Sequence, residues 1–285
     1  MQPSPASDAA PLGIIAGGGA LPRELARAAE ASGRRVFIAA LKGECDTDTV
    51  AGRSHAWIDL AAVGALIDSL RGAGCSQIAM VGRVGRPDFK RLRPDWQGVK
   101  LLPRVLQAVG RGDDALLRTL VDYLEEQGFR VTGVDEIAAP LLAPAGTLGR
   151  IAPSDSDRAD LARAAQVAFR LGELDVGQGA VVRNGLVLAV EAAEGTDAML
   201  ARCATLTGPE RGGVLVKLVK PGQERRVDLP VMGIRTVELA REAGLAGIAV
   251  EAGSALLLDR AATVAAADAA GLFLYGFTRA EIGPA

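Results

Sequence analysis

Residues 214–233 read VLVKLVKPGQERRVDLPVMG. A strand-like apolar run, Val214, Leu215, Val216, Leu218 and Val219, is interrupted by Lys217 and Lys220. Pro-Gly, Gln223, Glu224, Arg225 and Arg226 follow, and Asp228 stands just ahead of Leu-Pro. Two more pieces carry polar groups at junctions. DVGQGAVV (175–182) places Asp175 and Gln178 just before a strand, and VEAAEGTDAM (190–199) places Glu191, Glu194, Thr196 and Asp197 between a strand end and a helix start. Cations offset the charge of phosphates. Magnesium takes oxygen ligands, usually one or two carboxylates together with phosphate oxygens. Taken together, the three pieces suggest a phosphate and metal site. Taken singly, each has an ordinary reading. Thr196 can cap a helix with Asp197 in its first turn, Lys217 and Lys220 can face solvent on an edge strand, and Asp228 can pair with Arg226 at a surface.

A second candidate lies near the start. In GIIAGGGALP, Gly17 and Gly19 match the first two glycines of a G-x-G-x-x-G turn, but Pro22 stands at the third. The acid expected at the end of the second strand is missing, since that region reads Ala39, Ala40, Leu41, Lys42. A nicotinamide cofactor is therefore not expected, and no Lys-Ser/Thr follows the glycines to make a P-loop. What remains is backbone that a ligand can approach at Gly17, Gly18 and Gly19, next to the N-terminus of the helix ALPRELARAAEASG, which favours anions and brings Leu21 close by. A tight strand-to-helix turn with no ligand is the competing reading. GRVGRPDFKRLRP (82–94) follows the fourth strand, where ligands bind in open α/β sheets. Arg83 and Arg86 could meet phosphate there, or the loop could be solvated.

These residues need a scaffold, and the pattern supplies one. LGIIAGGG, RVFIAAL, HAWIDL and QIAMVGRV (77–84) read as strands alternating with helices ALPRELARAAEASG and VGALIDSLRGAG. That alternation implies a parallel sheet with helices on both faces. Helices over 98–110 and 113–128 and a last strand in FRVTGVDEI complete residues 12–137 as a Rossmann-like domain. Residues 138–154, rich in Pro and Gly, read as a linker and hinge. Residues 155–285 read as a mixed α+β domain with a hairpin at Asn184-Gly185. Residues 1–11 read as a loose tail without the basic start of a secretory signal.

Composition narrows the function. The formal net charge of −2 argues against nucleic acid as a partner. The three cysteines, far apart and odd in number, fit a reduced cytoplasmic protein. The single histidine, His55, opens a strand and excludes multi-histidine metal sites.

IIAGGGALP, DVGQGAVV, the EAAEGTDAM stretch and KPGQERRVDLPVMG closely resemble the UDP-2,3-diacylglucosamine pyrophosphatase family of lipid A biosynthesis, in its Caulobacter-type, non-calcineurin form. The resemblance covers nearly the whole chain beyond the tail. It implies hydrolysis of UDP-2,3-diacylglucosamine to UMP and 2,3-diacylglucosamine 1-phosphate, with water attacking the phosphorus next to uridine. It also implies Mg²⁺ or another divalent cation such as Mn²⁺, and substrate held between two halves. The family acid falls on Asp228, expected as catalytic residue and metal ligand, with Glu191 and Asp197 as further candidate ligands. Substrate contacts are expected from Gly17, Gly18, Gly19, Leu21, Arg83, Gln178, Thr196, Lys217, Lys220, Gln223 and Arg226. One departure is Glu224, where the family commonly has Asp, a difference of little consequence if the position is peripheral. The implied partners are the lipid substrate and product, a second copy in a homodimer, and transient contact with the cytoplasmic face of the inner membrane. Two other classes compete: an oxidoreductase on nucleotide sugars, disfavoured by the missing third glycine and ribose acid, and a non-enzymatic nucleotide-sugar sensor that would need neither Asp228 nor metal.

Overall fold

The computed structural model describes residues 10–85, 92–206, 208 and 210–283, so Arg86 and most of the N-terminal tail lie outside the described residues. The chain forms two compact units. Unit 1 comprises Met1–Ala139 and Glu224–Asp228; unit 2 comprises Pro140–Gln223 and Leu229–Ala285.

Unit 1 runs β1 (Leu12–Ala16), α1 (Leu21–Ala31), β2 (Val36–Leu41), α2 (Thr47–Val50), β3 (Ser54–Ile58), α3 (Val63–Gly72), β4 (Gln77–Val81), α4 (Trp96–Val109), α5 (Asp113–Glu126), β5 (Arg130–Val131) and α6 (Val134–Ile137). Its sheet has the order β3-β2-β1-β4-β5, and every pairing is parallel. Continuous apolar runs such as LGIIA are buried along their whole length, as strands covered on both faces must be. The order reverses between β1 and β4, so their carboxyl ends open the crevice where such sheets bind ligands. β4 stops at Val81, short of the expected 84, because Gly82 at φ +95° turns the chain away. The last strand is likewise shorter than expected: after Val131 the chain enters α6, whose first turn carries Asp135 and Glu136.

Unit 2 runs β6 (Gly146–Thr147), α7 (Asp155–Glu173), β7 (Gly179–Arg183), β8 (Leu186–Val190), α8 (Gly195–Cys203), β9 (Val214–Lys217), β10 (Val231–Met232), α9 (Ile234–Glu242), β11 (Gly247–Glu251), β12 (Leu256–Leu257), α10 (Arg260–Ala270), β13 (Phe273–Phe277) and α11 (Arg279–Ile282). The six-stranded sheet has the order β6-β13-β11-β9-β7-β8. Its centre, β9, β11 and β13, is parallel and connected through α9 and α10, while the β7–β8 hairpin and β6 flank it antiparallel. The mixed half therefore has a parallel βαβ centre of its own, while β10 and β12 pair separately.

Two expectations about domains need correcting. Residues 138–154 are no free linker: β6 pairs with β13, Leu142 bridges Leu256, and the Ala143 amide bonds the Ala255 carbonyl at 2.8 Å. A Pro/Gly-rich segment can supply short edge strands as well as a tether. Gly276 shows the closeness of this edge, since a Cβ there would strike the Pro144 carbonyl. In turn, Glu224–Asp228, expected within the second domain, belongs to unit 1.

The hairpin at Asn184-Gly185 has both residues at positive φ, 51° and 77°, as a two-residue turn of this hand requires. Its amides are held by buried Asp160 of α7, which accepts from Asn184 N at 2.8 Å and Gly185 N at 2.7 Å. Asp160→Ala strands both donors. A loss of about 1–3 kcal/mol of unit 2 stability is expected, read as a lowered thermal midpoint, with Asp160→Asn losing less because it keeps one acceptor oxygen.

Candidate functional site

In unit 1 the glycine turn lies at the reversal of the sheet. Gly18 and Arg83 form an antiparallel bridge, N to O at 2.8 and 2.9 Å, tying the end of β1 to the chain after β4. A Cβ on Gly17 would fall 2.5 Å from the Arg83 carbonyl oxygen, and one on Gly18 would fall 2.9 Å from the Glu44 carbonyl oxygen. These two glycines are therefore fixed by close backbone approach. Gly19 differs: it has open space but φ +90°, with the Arg83 guanidinium lying alongside. Its amide, expected to await an anion, donates to Asp46 Oδ2 at 2.9 Å. Glu44 of the same loop accepts from Gly85 N at 3.1 Å. Two acids, Glu44 and Asp46, thus stand three and five residues after the end of β2 and accept from backbone amides of the neighbouring turns. Leu21 opens α1, half-buried, with Pro22 in the first turn.

The turn 224–228 is built around Glu224. Its amide donates to Asp114 Oδ1 at 2.7 Å, and its carbonyl accepts from Val227 N and Asp228 N, each at 3.1 Å. Its carboxylate takes Arg226 Nε at 2.8 Å and Nη2 at 2.9 Å, while Arg226 Nη1 reaches Glu125 at 2.8 Å. Hydrogen bonding from Arg226 holds the Glu224 carboxyl below its ordinary range, and Glu224 holds the arginine above its own. Glu224 is therefore central to the turn, not peripheral. Arg226, expected on substrate, is engaged by two carboxylates. Val227 packs into the unit 1 core, and Asp228 follows it, half-buried.

Unit 2 gathers Gln178, Glu191, Thr196 and Lys217. Lys217 ends β9 and is buried, so it is not the solvent-facing edge residue of the ordinary reading. Its ammonium donates to Thr196 Oγ1 at 2.8 Å and to the Val231 carbonyl at 3.3 Å. Thr196 in turn donates to Glu191 Oε1 at 2.8 Å. A buried ammonium and a buried carboxylate are thus joined through one hydroxyl, which offsets the desolvation of both. The other Glu191 oxygen, Oε2, and Gln178 Oε1 are buried without a hydrogen-bond partner. The glycines of DVGQGAVV explain how Glu191 comes so close. A Cβ on Gly177 would strike the Glu191 carbonyl, and one on Gly179 would lie 2.6 Å from Oε2. Lys220 pairs with Asp175 at 2.5 Å, Asp175 being held at φ 54°. Buried Gln223 closes the loop after β9 by accepting Lys220 N at 2.8 Å. Asp197 sits exposed in the first turn of α8, apart from this network, where an acid stabilises the helix dipole. Among the described residues, no group of three His, Cys, Asp or Glu side chains is arranged to hold a metal ion.

The structure separates roles the motifs left merged. Glu191, Thr196 and Lys217 form one network; Lys220, Gln223 and Asp175 are joined beside it; Arg226 and Glu224 form the turn that carries Asp228. Glu44, Asp46 and Glu224 were missed as site-building residues, whereas Asp175 is marked in the sequence as an acid just before a strand in a glycine-flanked motif.

Because the folded Glu224 carboxyl is depressed, its contribution to stability is present above its ordinary value near 4.5 and is lost as pH falls through the lower folded value. Both tryptophans, Trp57 and Trp96, lie in unit 1 and report on it. In an acid titration followed by tryptophan fluorescence, Glu224→Gln should lower unit 1 stability at neutral pH and flatten its dependence on pH below about 4.5. A parental acid profile in that variant would show that the turn does not use this charge.

Comparison with known proteins adds a whole-chain likeness. The model of the LpxI N-terminal domain matches residues 11–141, and that of the LpxI C-terminal domain matches residues 144–275. The UDP-2,3-diacylglucosamine pyrophosphatase LpxI of Caulobacter vibrioides is 48% identical over 273 residues, covering 93% of this chain and 96% of that protein. Among solved structures, the crystal structure of gox2253 overlaps 72% of this chain and 60% of its own at 17% identity and a TM-score of 0.28, too slight a likeness to carry an argument. With both halves matched in order and nearly every residue covered, the chain belongs to the LpxI family.

Proposed function

We propose that this chain hydrolyses UDP-2,3-diacylglucosamine to UMP and 2,3-diacylglucosamine 1-phosphate. The observation that carries this reading is the 48% identity over nearly the full length of a protein named for that substrate. In the reaction an oxygen–phosphorus bond forms between water and the phosphorus next to uridine. The anhydride bond to the second phosphorus breaks, and 2,3-diacylglucosamine 1-phosphate leaves.

The chain's own residues support the roles as follows. Asp228 is the catalytic carboxylate, directed by the Glu224–Arg226 turn. Gly19 and Arg83 offer an amide and a cation at the crevice of the unit 1 sheet to the substrate's polar groups. The amide is gained when Asp46 yields it. Lys217 and Thr196 offer an ammonium and a hydroxyl whose positions are fixed by Glu191, and Gln178 adds an amide. Lys220, once parted from Asp175, is a second cation.

A divalent cation fits this residue set. The half-buried Asp228 is an oxygen donor of the kind magnesium takes singly or in pairs alongside phosphate oxygens, so a three-carboxylate cage is not required. Within unit 2, the buried, unpartnered Oε2 of Glu191 is a hard oxygen donor in its own right, whereas exposed Asp197 is better suited to its helix. Mg²⁺ or Mn²⁺ bound by Asp228 would supply charge stabilisation at the phosphorus and acidify water. This reading makes the protein a peripheral, not a spanning, enzyme.

Incubation with UDP-2,3-diacylglucosamine and Mg²⁺, followed by chromatography for UMP, tests the activity. Asp228→Ala should lose on the order of 10²-fold or more in kcat while still binding substrate, the scale of removing one strong electrostatic stabiliser. Asp228→Asn should be similarly poor, because it keeps the shape and not the charge. Asp197→Ala should stay within a few-fold of the parent and lose about 1 kcal/mol of stability at most. A folded Asp228→Ala protein with near-parental turnover in Mg²⁺ would remove Asp228 from the mechanism.

A further inference from the structure

We infer that the exposed apolar stripe of α4 docks on an anionic lipid surface. The stripe consists of Trp96, Val99, Pro103 and Leu106, at i, i+3, i+7 and i+10, with Val109 one turn further. Trp96 is 72% exposed, Leu106 54% and Val99 46%. The opposite face is spoken for, with Gly98, Leu101 and Ala108 buried in unit 1. Other exposed large apolar residues, such as Val84, Leu174 and Leu186, are scattered over separate elements, so this concentration on one helix is specific to α4.

The flanking charge selects the partner. Between residues 92 and 111 the chain carries Arg93, Lys100, Arg104 and Arg111 against one acid, Asp95. That acid is turned inward, accepting from Gly64 N, Ala65 N and Gly98 N at 2.7, 3.1 and 2.8 Å. Arg104 is bridged to Glu126 of α5, whereas the Lys100 ammonium lies 5.4 Å over the Trp96 ring, so cation and aromatic sit together at the rim of the stripe. An apolar face bordered by cations and headed by a tryptophan is the arrangement of helices that lie in a membrane interface. Anionic lipid headgroups complement it. A second copy of this chain fits less well. An isologous contact sets the same cations against each other, and a 14-residue helix offers a strip about 21 Å by 10 Å. That is far short of the ~800 Å² per partner of a stable interface. Among the described residues no helix is long and apolar enough to cross a membrane, so the contact is with the surface.

This inference rests on the reading that the substrate is a lipid, because such a substrate presents itself at a bilayer. Its test is independent of turnover. The full chain is sedimented with vesicles of dioleoyl phosphatidylglycerol and phosphatidylcholine in equal parts, and with phosphatidylcholine alone. Binding should favour the anionic vesicles, weaken with salt, and shift Trp96 emission to the blue in a Trp57→Phe background. Leu106→Glu, checked for folding by circular dichroism, should bind at least about tenfold more weakly; Trp96→Ser serves as the second variant. Leu106→Glu should also turn over a soluble short-acyl substrate at the parental rate, and lose rate only on vesicle-embedded substrate. Equal binding by parent and variants, or no binding to either vesicle, overturns the inference. So does a dimer, seen by sedimentation velocity, that Leu106→Glu dissolves. Failure of the enzymatic reading would show separately, as absence of UMP from both substrate forms.

Discussion

An ammonium at the end of a buried strand dictates the architecture of unit 2. Lys217 continues the apolar run of β9 and is buried like the residues before it. Such a charge survives only with partners. The hydroxyl of Thr196 must therefore reach it from the start of α8, and the carboxylate of Glu191 must stand behind that hydroxyl at the end of β8. The β8 end can come that close because Gly177 and Gly179 present no side chains to it. A loop, a hairpin and a helix N-terminus are thus placed by the need to satisfy one charge. Among these groups Glu191 Oε2 and Gln178 Oε1 keep unspent hydrogen-bonding capacity. Buried acceptors without donors are costly.

Much of the fold is legible in the residues, for local reasons. The apolar runs, the glycines that follow most of the helices and the Asn-Gly turn act over a few residues, and the elements they imply are present. What is not legible depends on distant pairings. Nothing near residues 138–154 announces that Gly146 and Thr147 will pair with Gly276 and Tyr275, a contact between ends of unit 2. The same holds for the site. Asp228 is singled out only through the family resemblance, and Arg226 looks like a phosphate ligand until Glu224 and Glu125 are seen on its two edges. Asp46 has no motif to mark it; only the fold brings it to Gly19.

Pairing of this kind also changes how the cations should be read. A lysine or arginine on a carboxylate is positioned and desolvated in advance. Lys220 meets Asp175 through one contact, whereas Arg226 grips both oxygens of Glu224, and the two pairs also differ in surroundings. Asp175 sits in a left-handed conformation that costs free energy for a residue other than glycine. Glu224 is woven into its turn by backbone as well as side chain. The first pair can exchange one acidic partner for another more readily than the second.

The discontinuity of unit 1 has a consequence for biosynthesis. Its core includes Val227, and the amide of Glu224 answers Asp114, yet both residues are translated long after Ala139. Domains usually fold as units as they emerge, the N-terminal one first. Here the first-made unit lacks a structural piece until most of the second has left the ribosome. The chain's order of synthesis thus delays the moment at which Asp228 acquires its direction until residues 224–228 have joined unit 1.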